Sequence, residues 1–351
     1  MCRGCGTRYH ILMRVASLFA IANAVLAPAA AQTYIGAVAC GQCHPQEFRQ
    51  QSASDHAHSL YSANQHPLAA QFIPRVPLRR DPDYEFRFAL EKRGLLVRIA
   101  GMDRAVVLPI DWAFGAGGQA VTFVTRLKNN NYLEHYFSFY TKTRAMGITP
   151  GQEATAPRDL MGAAGVEHQT LDIAECFYCH STGPVQISGG DVRPHENGVR
   201  CEACHGPGSE HQQTRGKVSI RNPRDLSAAE LNDACGKCHR LPVSKGATFD
   251  WDSAWNVRFA PAYLSQSACF LKSGGRLSCL SCHSAHESSK QTSAYYNGVC
   301  ASCHASIHTS SGMENCVGCH MPRTSPRDPL QFTDHWIGVY QSGRFKPEAR
   351  R

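Results

Sequence analysis

The spacing of apolar positions changes twice along the chain. Residues 15–26 form a mostly apolar run behind Arg3, Arg8 and Arg14, and Ala29, Ala30 and Ala31 precede Gln32. A basic start, a short apolar run and a small-residue site read as a secretory signal over 1–31, and one starting at Met13 would be as well formed. The run is too short for a transmembrane anchor. Residues 84–90 alternate apolar and polar positions, and 95–99, 105–110, 120–127 and 132–140 are short runs rich in β-branched and aromatic residues. Gly and Asn clusters at 115–118 and 129–131 punctuate them. This pattern predicts a small antiparallel β insertion over 78–150. From 151 to 340 Pro and Gly are frequent and periodic segments short, which predicts brief helices and ordered loops. The clearest helix is 226–238, with Ser227 as its N-cap. The basic end, 341–351, is expected to be disordered. The fold expected is mainly α with extensive loops, divided into 1–31, 32–77, 78–150, 151–340 and 341–351.

The chemistry lies in the cysteines. Of 17 Cys and 18 His, most fall into one pattern, Cys-x-x-Cys-His, which occurs seven times. The copies are Cys40, Cys43 and His44; Cys176, Cys179 and His180; Cys201, Cys204 and His205; Cys235, Cys238 and His239; Cys279, Cys282 and His283; Cys300, Cys303 and His304; and Cys316, Cys319 and His320. Random order at this composition gives about 0.04 copies, so the pattern is selected. On one helical turn two Cys three apart share a face and reach the two vinyl groups of one porphyrin. The adjacent His then ligates the iron. Zinc knuckles need no His at that position, and disulfide frameworks need no fixed triplet. Seven haem c groups are therefore expected, one per motif. Cys2 and Cys5 are followed by Gly6 and read as incidental. Cys269 stands outside the motifs and reads as a small apolar residue against a haem edge.

Haem alters the charge argument. The formal charge is +8; without Arg3, Arg8 and Arg14 it is 33 − 28 = +5. Each oxidised haem with two His ligands adds about −1, which brings the loaded chain to about −2. The basic side chains then offset haem propionates, and nucleic acid is not expected as a partner. Removing the signal leaves 320 residues (351 − 31) for seven haems. That is too little protein for a conventional core around each, so the haems are expected to form much of the interior.

Several strings carry a family resemblance. They are Glu175-Cys-Phe-Tyr-Cys-His-Ser-Thr-Gly183, Gly198-Val-Arg-Cys-Glu-Ala-Cys-His-Gly-Pro-Gly-Ser-Glu-His211 and Cys279-Leu-Ser-Cys-His-Ser-Ala-His286, the last preceded by Gln266-Ser-Ala-Cys-Phe270. Cys316-Val-Gly-Cys-His-Met-Pro322, Phe332-Thr-Asp-His-Trp-Ile337 and Trp112-Ala-Phe-Gly-Ala-Gly117 with Thr149-Pro-Gly151 complete the set. With these the chain resembles the cytochrome c554-like, doubled Cys-x-x-Cys-His multihaem proteins over most of 34–340. The resemblance implies haems packed in near contact, mostly with two His ligands.

If every iron takes a second His, seven are needed from the ten outside the motifs and the signal. His211, His286 and His335 sit in the family-like strings. His308 lies between two motifs, His58 follows the first motif with His56 as its rival, and His168 and His195 flank the second and third. These seven, with His58 preferred to His56, are the candidate distal ligands. His66 and His135 read as structural, the latter within a strand-like run. Met321 adjoins its own motif His and cannot reach the opposite face of that haem, so it reads as packing.

The function expected is electron transfer outside the cytoplasm. Its partners would be redox proteins: other cytochromes or a membrane quinol oxidoreductase. No later apolar run spans a bilayer. The rival is a reductase or oxidase of a small nitrogen or sulfur compound at one open iron, with motif 2 the candidate. A second rival is a subunit of a larger electron-transfer assembly that docks through the β insertion.

Overall fold

In the computed structural model the described residues are 32–153, 156–241, 248–288, 291–304 and 315–340. The signal expected at 1–31, the tail at 341–351 and His308 lie outside them. Period-two alternation over 84–110 builds a four-stranded antiparallel meander from Leu78–Arg80, Tyr84–Glu91, Gly94–Ala100 and Ala105–Ile110. Its register pairs Phe86 with Ile99 and Phe88 with Val97, then Val97 with Leu108 and Leu95 with Ile110. Alternate positions share a face, so Phe86, Phe88, Leu95, Val97, Ile99, Leu108 and Ile110 are buried together.

A second sheet of seven strands packs on this face. Its main path runs Leu60–Ser62, Trp112–Phe114, Ala120–Arg126, Tyr132–His135 and Gly165–His168, with Phe137–Tyr140 and Ala145–Ile148 added beside Ala120–Arg126. Phe72, Phe123, Phe139 and Leu133 close the core between the sheets. Each such side chain contributes about 1.5–3 kcal/mol by leaving water. Phe72 meets Phe123 and Phe139 with centroids 4.9 and 5.2 Å apart.

A second apolar cluster ties this sheet to a motif. Leu60, Phe114, Val124 and Tyr132 pack on Ile173, Ala174 and Phe177 of helix Thr170–His180, which carries motif 2. Phe177 is fully buried, edge-on to Trp112 at 5.2 Å and Phe114 at 5.0 Å. A hairpin follows, Ser181–Ser188 with Asp191–Asn197. Its turn is Gly189-Gly190, with φ of 56° and 74°, the left-handed pair that a two-residue hairpin favours.

After residue 200 the helices are short. Cys201–His205, Ser209–Gln213, Ala260–Leu264, Ala268–Lys272 and Cys316–His320 have five residues each, and motif 5 starts in a 3-10 turn, Cys279–Ser281. Ala228–His239 is longer. Ser227 accepts from the Glu230 N–H while the Glu230 carboxylate accepts from the Ser227 N–H, a capping box. Val257, Ala262 and Tyr263 make a third cluster with Phe249, Trp251 and Trp336.

The expectation of a mainly α chain is therefore corrected. Helix covers 31% and strand 25% of the described residues, in several antiparallel sheets. A Cys-x-x-Cys-His motif needs only one helical turn, so seven motifs add little helix. The sheets must bury an apolar core of their own, and strands form outside 78–150: Leu60–Ser62 and Gly165–His168 join the seven-stranded sheet, and 181–197 makes a separate hairpin.

Candidate haem-binding centre

Each described motif sits on a single turn or at the end of a helix, with its thiols unpaired in disulfides. The motifs are drawn together two at a time. The helix Ala37–Gly41 packs on Cys201–His205, Thr170–His180 on Ala228–His239, Ala228–His239 on Cys279–Ser281, and Ser293–Ala301 on Cys316–His320. At these contacts the Cys40 thiol meets that of Cys201, Cys179 meets Cys238, Cys235 meets Cys279, and Cys300 meets Cys316.

Specific polar groups hold these contacts. The Glu202 carboxylate, 1% exposed, accepts from the backbone N–H groups of Ile35, Gly36 and Gly208 at 2.7–3.0 Å. Glu196 accepts from Ala37 N–H. Motif 1 is thereby fixed on motif 3. Burial raises the Glu196 pKa, opposed by the Ala37 N–H and Arg200. Two asparagines do the same elsewhere. Asn232, three residues before Cys235, accepts from the Cys279 N–H at 3.0 Å. Asn297, three before Cys300, accepts from the Cys316 N–H at 3.1 Å. Sequence reasoning missed both. The signal was present in the repeated Asn-x-x-Cys spacing, but the motif each one reaches is not its own.

The imidazoles are arranged in facing pairs. His44 stands opposite His211 with ring centroids 6.3 Å apart, His205 opposite His286 at 6.2 Å, and His283 opposite His335 at 6.3 Å. His239 stands opposite His56 at 6.0 Å. Two imidazoles that bind opposite sides of one metal ion, at about 2 Å per bond, have centroids about 6 Å apart. Each pair joins one motif His to one His outside the motifs. Among the described residues no group of three or more His, Cys, Asp or Glu is placed to hold a bare metal ion. A donor set of two imidazoles and two thiols per site suits a metal whose other four ligands come from a macrocycle, so the residues fit haem c.

A hydrogen bond from Nδ1 fixes the tautomer and the orientation of an imidazole. His180 donates from Nδ1 to the Ser59 carbonyl at 3.0 Å, His205 to Arg221 at 2.9 Å and His320 to Gly338 at 2.8 Å. His211 donates to Val218 at 2.8 Å and His335 to Thr333 at 3.0 Å. Burial lowers the pKa of His180, His205, His239 and His283, and brings His335 down to about 4. These rings are neutral at neutral pH, the form that ligates.

The other predicted residues are placed differently. His58 hydrogen-bonds Tyr61 through Nδ1 and stacks on its ring. His168 lies on a strand with Nε2 3.5 Å from the Glu134 carboxylate. His195, on the hairpin, meets the Tyr34 ring at 5.6 Å. The ring neighbour of His180 is Phe114, edge-on at 5.4 Å. His66 uses both nitrogens within the protein, on Gly115 O and Leu68 N–H. His135 is buried and bonds Thr125 Oγ1 at 2.7 Å. Cys269 is half-buried near Cys303. His304 is exposed and ends a described stretch.

The family match and the sequence relative agree with this chemistry. A family model described as cytochrome c554 and c-prime matches residues 134–206. That segment runs from the second sheet through motifs 2 and 3. The multiheme cytochrome MtrA of Shewanella baltica is 25% identical over 150 residues, covering 37% of this chain and 44% of that protein. The chain thus matches less than half the length of that relative. Among solved structures, the outer cell wall cytochrome OcwA superposes with a TM-score of 0.52 over 87% of this chain and 79% of its own, at 13% identity, a likeness of fold. An undecaheme cytochrome from the S-layer of Carboxydothermus ferrireducens gives 0.43 over 78% of this chain and 43% of its own, at 17% identity.

Proposed function

We propose that this chain, a multihaem c-type cytochrome with a cytochrome c554-like region, is a heptahaem electron carrier that works outside the cytoplasm. The observation that carries the reading is the four facing imidazole pairs at 6.0–6.3 Å. The two Cys of each motif would hold one haem c by thioether bonds, and bound haem supplies one-electron redox chemistry. His44, His180, His205, His239, His283, His304 and His320 are the proximal ligands. His211, His56, His286 and His335 are the distal ligands opposite His44, His239, His205 and His283. His308 is proposed for motif 6 or 7.

The protein's part is to hold these imidazoles in place and oriented. Two strong ligands per iron leave no coordination site for a substrate, which suits transfer rather than turnover. The partners are redox proteins, such as other cytochromes or a membrane quinol oxidoreductase. No helix among the described residues is long and apolar enough to cross a membrane.

Pyridine haemochrome analysis is expected to count seven haems per chain. Low-temperature electron paramagnetic resonance is expected to show mostly low-spin ferric species. His56→Ala is expected to convert one low-spin species to high-spin, and His58→Ala to leave that species unchanged. The reverse result would exclude the pairing of His56 with His239. A mainly high-spin wild type would exclude the two-His reading as a whole.

A second reading applies to motif 2 alone. His180 has Phe114 as its ring neighbour rather than an imidazole. A five-coordinate iron there could reduce or oxidise a small nitrogen or sulfur compound. Nitrite, hydroxylamine and tetrathionate assays with a reduced dye test it; no turnover on any of them removes it.

A further inference from the structure

The motif histidine His283 is held differently from His180, His205 and His320. Where the structure gives a carbonyl partner to Nδ1 of a motif His, it is a backbone oxygen: Ser59 for His180, Arg221 for His205 and Gly338 for His320. At His283 the partner is a side chain, the Tyr296 hydroxyl, 3.1 Å from Nδ1. The two rings meet edge to face, with centroids 5.5 Å apart and planes at 67°. Across from it, His335 has an ordinary carbonyl partner, Thr333. The two ligands of this pair are therefore supported by different chemistry.

Tyr296 is well placed to hold a ring still. It lies in the first turn of helix Ser293–Ala301, where its N–H donates to the Thr292 carbonyl at 3.3 Å and Thr292 caps the helix. Tyr295 packs edge-on against it at 5.1 Å. The same helix carries Cys300 of motif 6. The hydroxyl thus joins the ligand of one motif to the backbone that presents the next.

We infer that Tyr296 is the positioning residue of the motif 5 site, accepting the Nδ1–H of His283 and thereby setting both the ring orientation and the electron density that Nε2 offers the iron. The inference rests on the haem reading above. An acceptor at Nδ1–H makes the imidazole a stronger donor and favours the ferric state. A phenol oxygen accepts more weakly than a carbonyl, so this site sits higher in potential than a carbonyl partner would place it. Loss of the acceptor raises it further.

The test uses the full haem-loaded chain. Tyr296→Phe is expected to raise one midpoint potential in a spectroscopic redox titration and to change the g-values of one low-spin species. Haem content should be intact. Tyr295→Phe removes a neighbouring hydroxyl that does not touch His283, and is expected to change neither. The inference is overturned if Tyr296→Phe shifts no potential, if it shifts all of them alike, or if Tyr295→Phe gives the same shift. A wild type that lacks haem or low-spin signals would instead sink the haem reading, and this inference with it.

Discussion

His135 shows what burial alone does to a histidine in this chain. It is 2% exposed, and burial brings its pKa down to about 3. Its ring bonds Thr125 Oγ1, and its carbonyl accepts from Thr149 Oγ1 at 2.7 Å. The folded pKa lies below the unfolded value of about 6.5, so the unfolded chain binds the extra proton between them. The stabilisation is complete above about pH 6.5 and is lost as pH falls, at about 1.4 kcal/mol per unit for one proton. His135→Gln keeps a polar side chain and removes this titration. Denaturant midpoints of the haem-loaded proteins at pH 7 and pH 5 are expected to differ less in the variant than in the wild type. Equal differences would show that His135 is not the titrating group. The strand-like run around His135 already marks it as structural in the sequence. Burial lowers the pKa of both His135 and His335, and only the second faces another imidazole.

At the scale of elements, the sheet and the motifs are one mechanical system. Phe177 is the joint, since it lies on the helix that ends at His180 and packs into Trp112 and Phe114 of the sheet. Phe177→Ala removes a fully buried ring and is expected to cost about 3–5 kcal/mol. Chemical unfolding measures this, and a loss under about 1 kcal/mol would show that the helix does not depend on the sheet. This joint also explains what was legible. The strands 84–110 could be read because period-two alternation records one buried face. The helix at 228–239 could be read because Ser227 and Glu230 cap it locally. The hairpin 181–197 could not, because Gly183, Pro184 and Pro194 break its alternation and its support comes from elsewhere. Val192 packs beside Tyr132, whose hydroxyl accepts from the Val192 N–H at 2.8 Å. The motif residues were legible one by one. The partner of each His was not, because facing imidazoles come from segments up to 183 residues apart, as in His56 and His239.

At the scale of the molecule, the contacts among motifs are unequal. Motif 4 sits on Ala228–His239, which packs on the helix of motif 2 and the turn of motif 5. Cys235 also lies beside Cys204 of motif 3, and His239 lies near His180 and His283. Motif 7 by contrast packs through Cys316–His320 on the motif 6 helix. If haems form the interior, as the small share of protein per motif implies, binding at one site stabilises the folded state of its neighbours. Among the described residues, removing motif 4 then takes away packing from motifs 2 and 5, and removing motif 7 takes it from motif 6. The double substitution of Cys235 and Cys238 by Ser is expected to lower the haem count by more than one and to expose 201–288 to protease. The same change at Cys316 and Cys319 is expected to lower the count by one and to leave that region protected. Equal losses in the two variants would mean that each haem is held by its own motif alone. Unequal losses would place the fold's cooperativity at motif 4, whose helix packs on the elements of motifs 2 and 5.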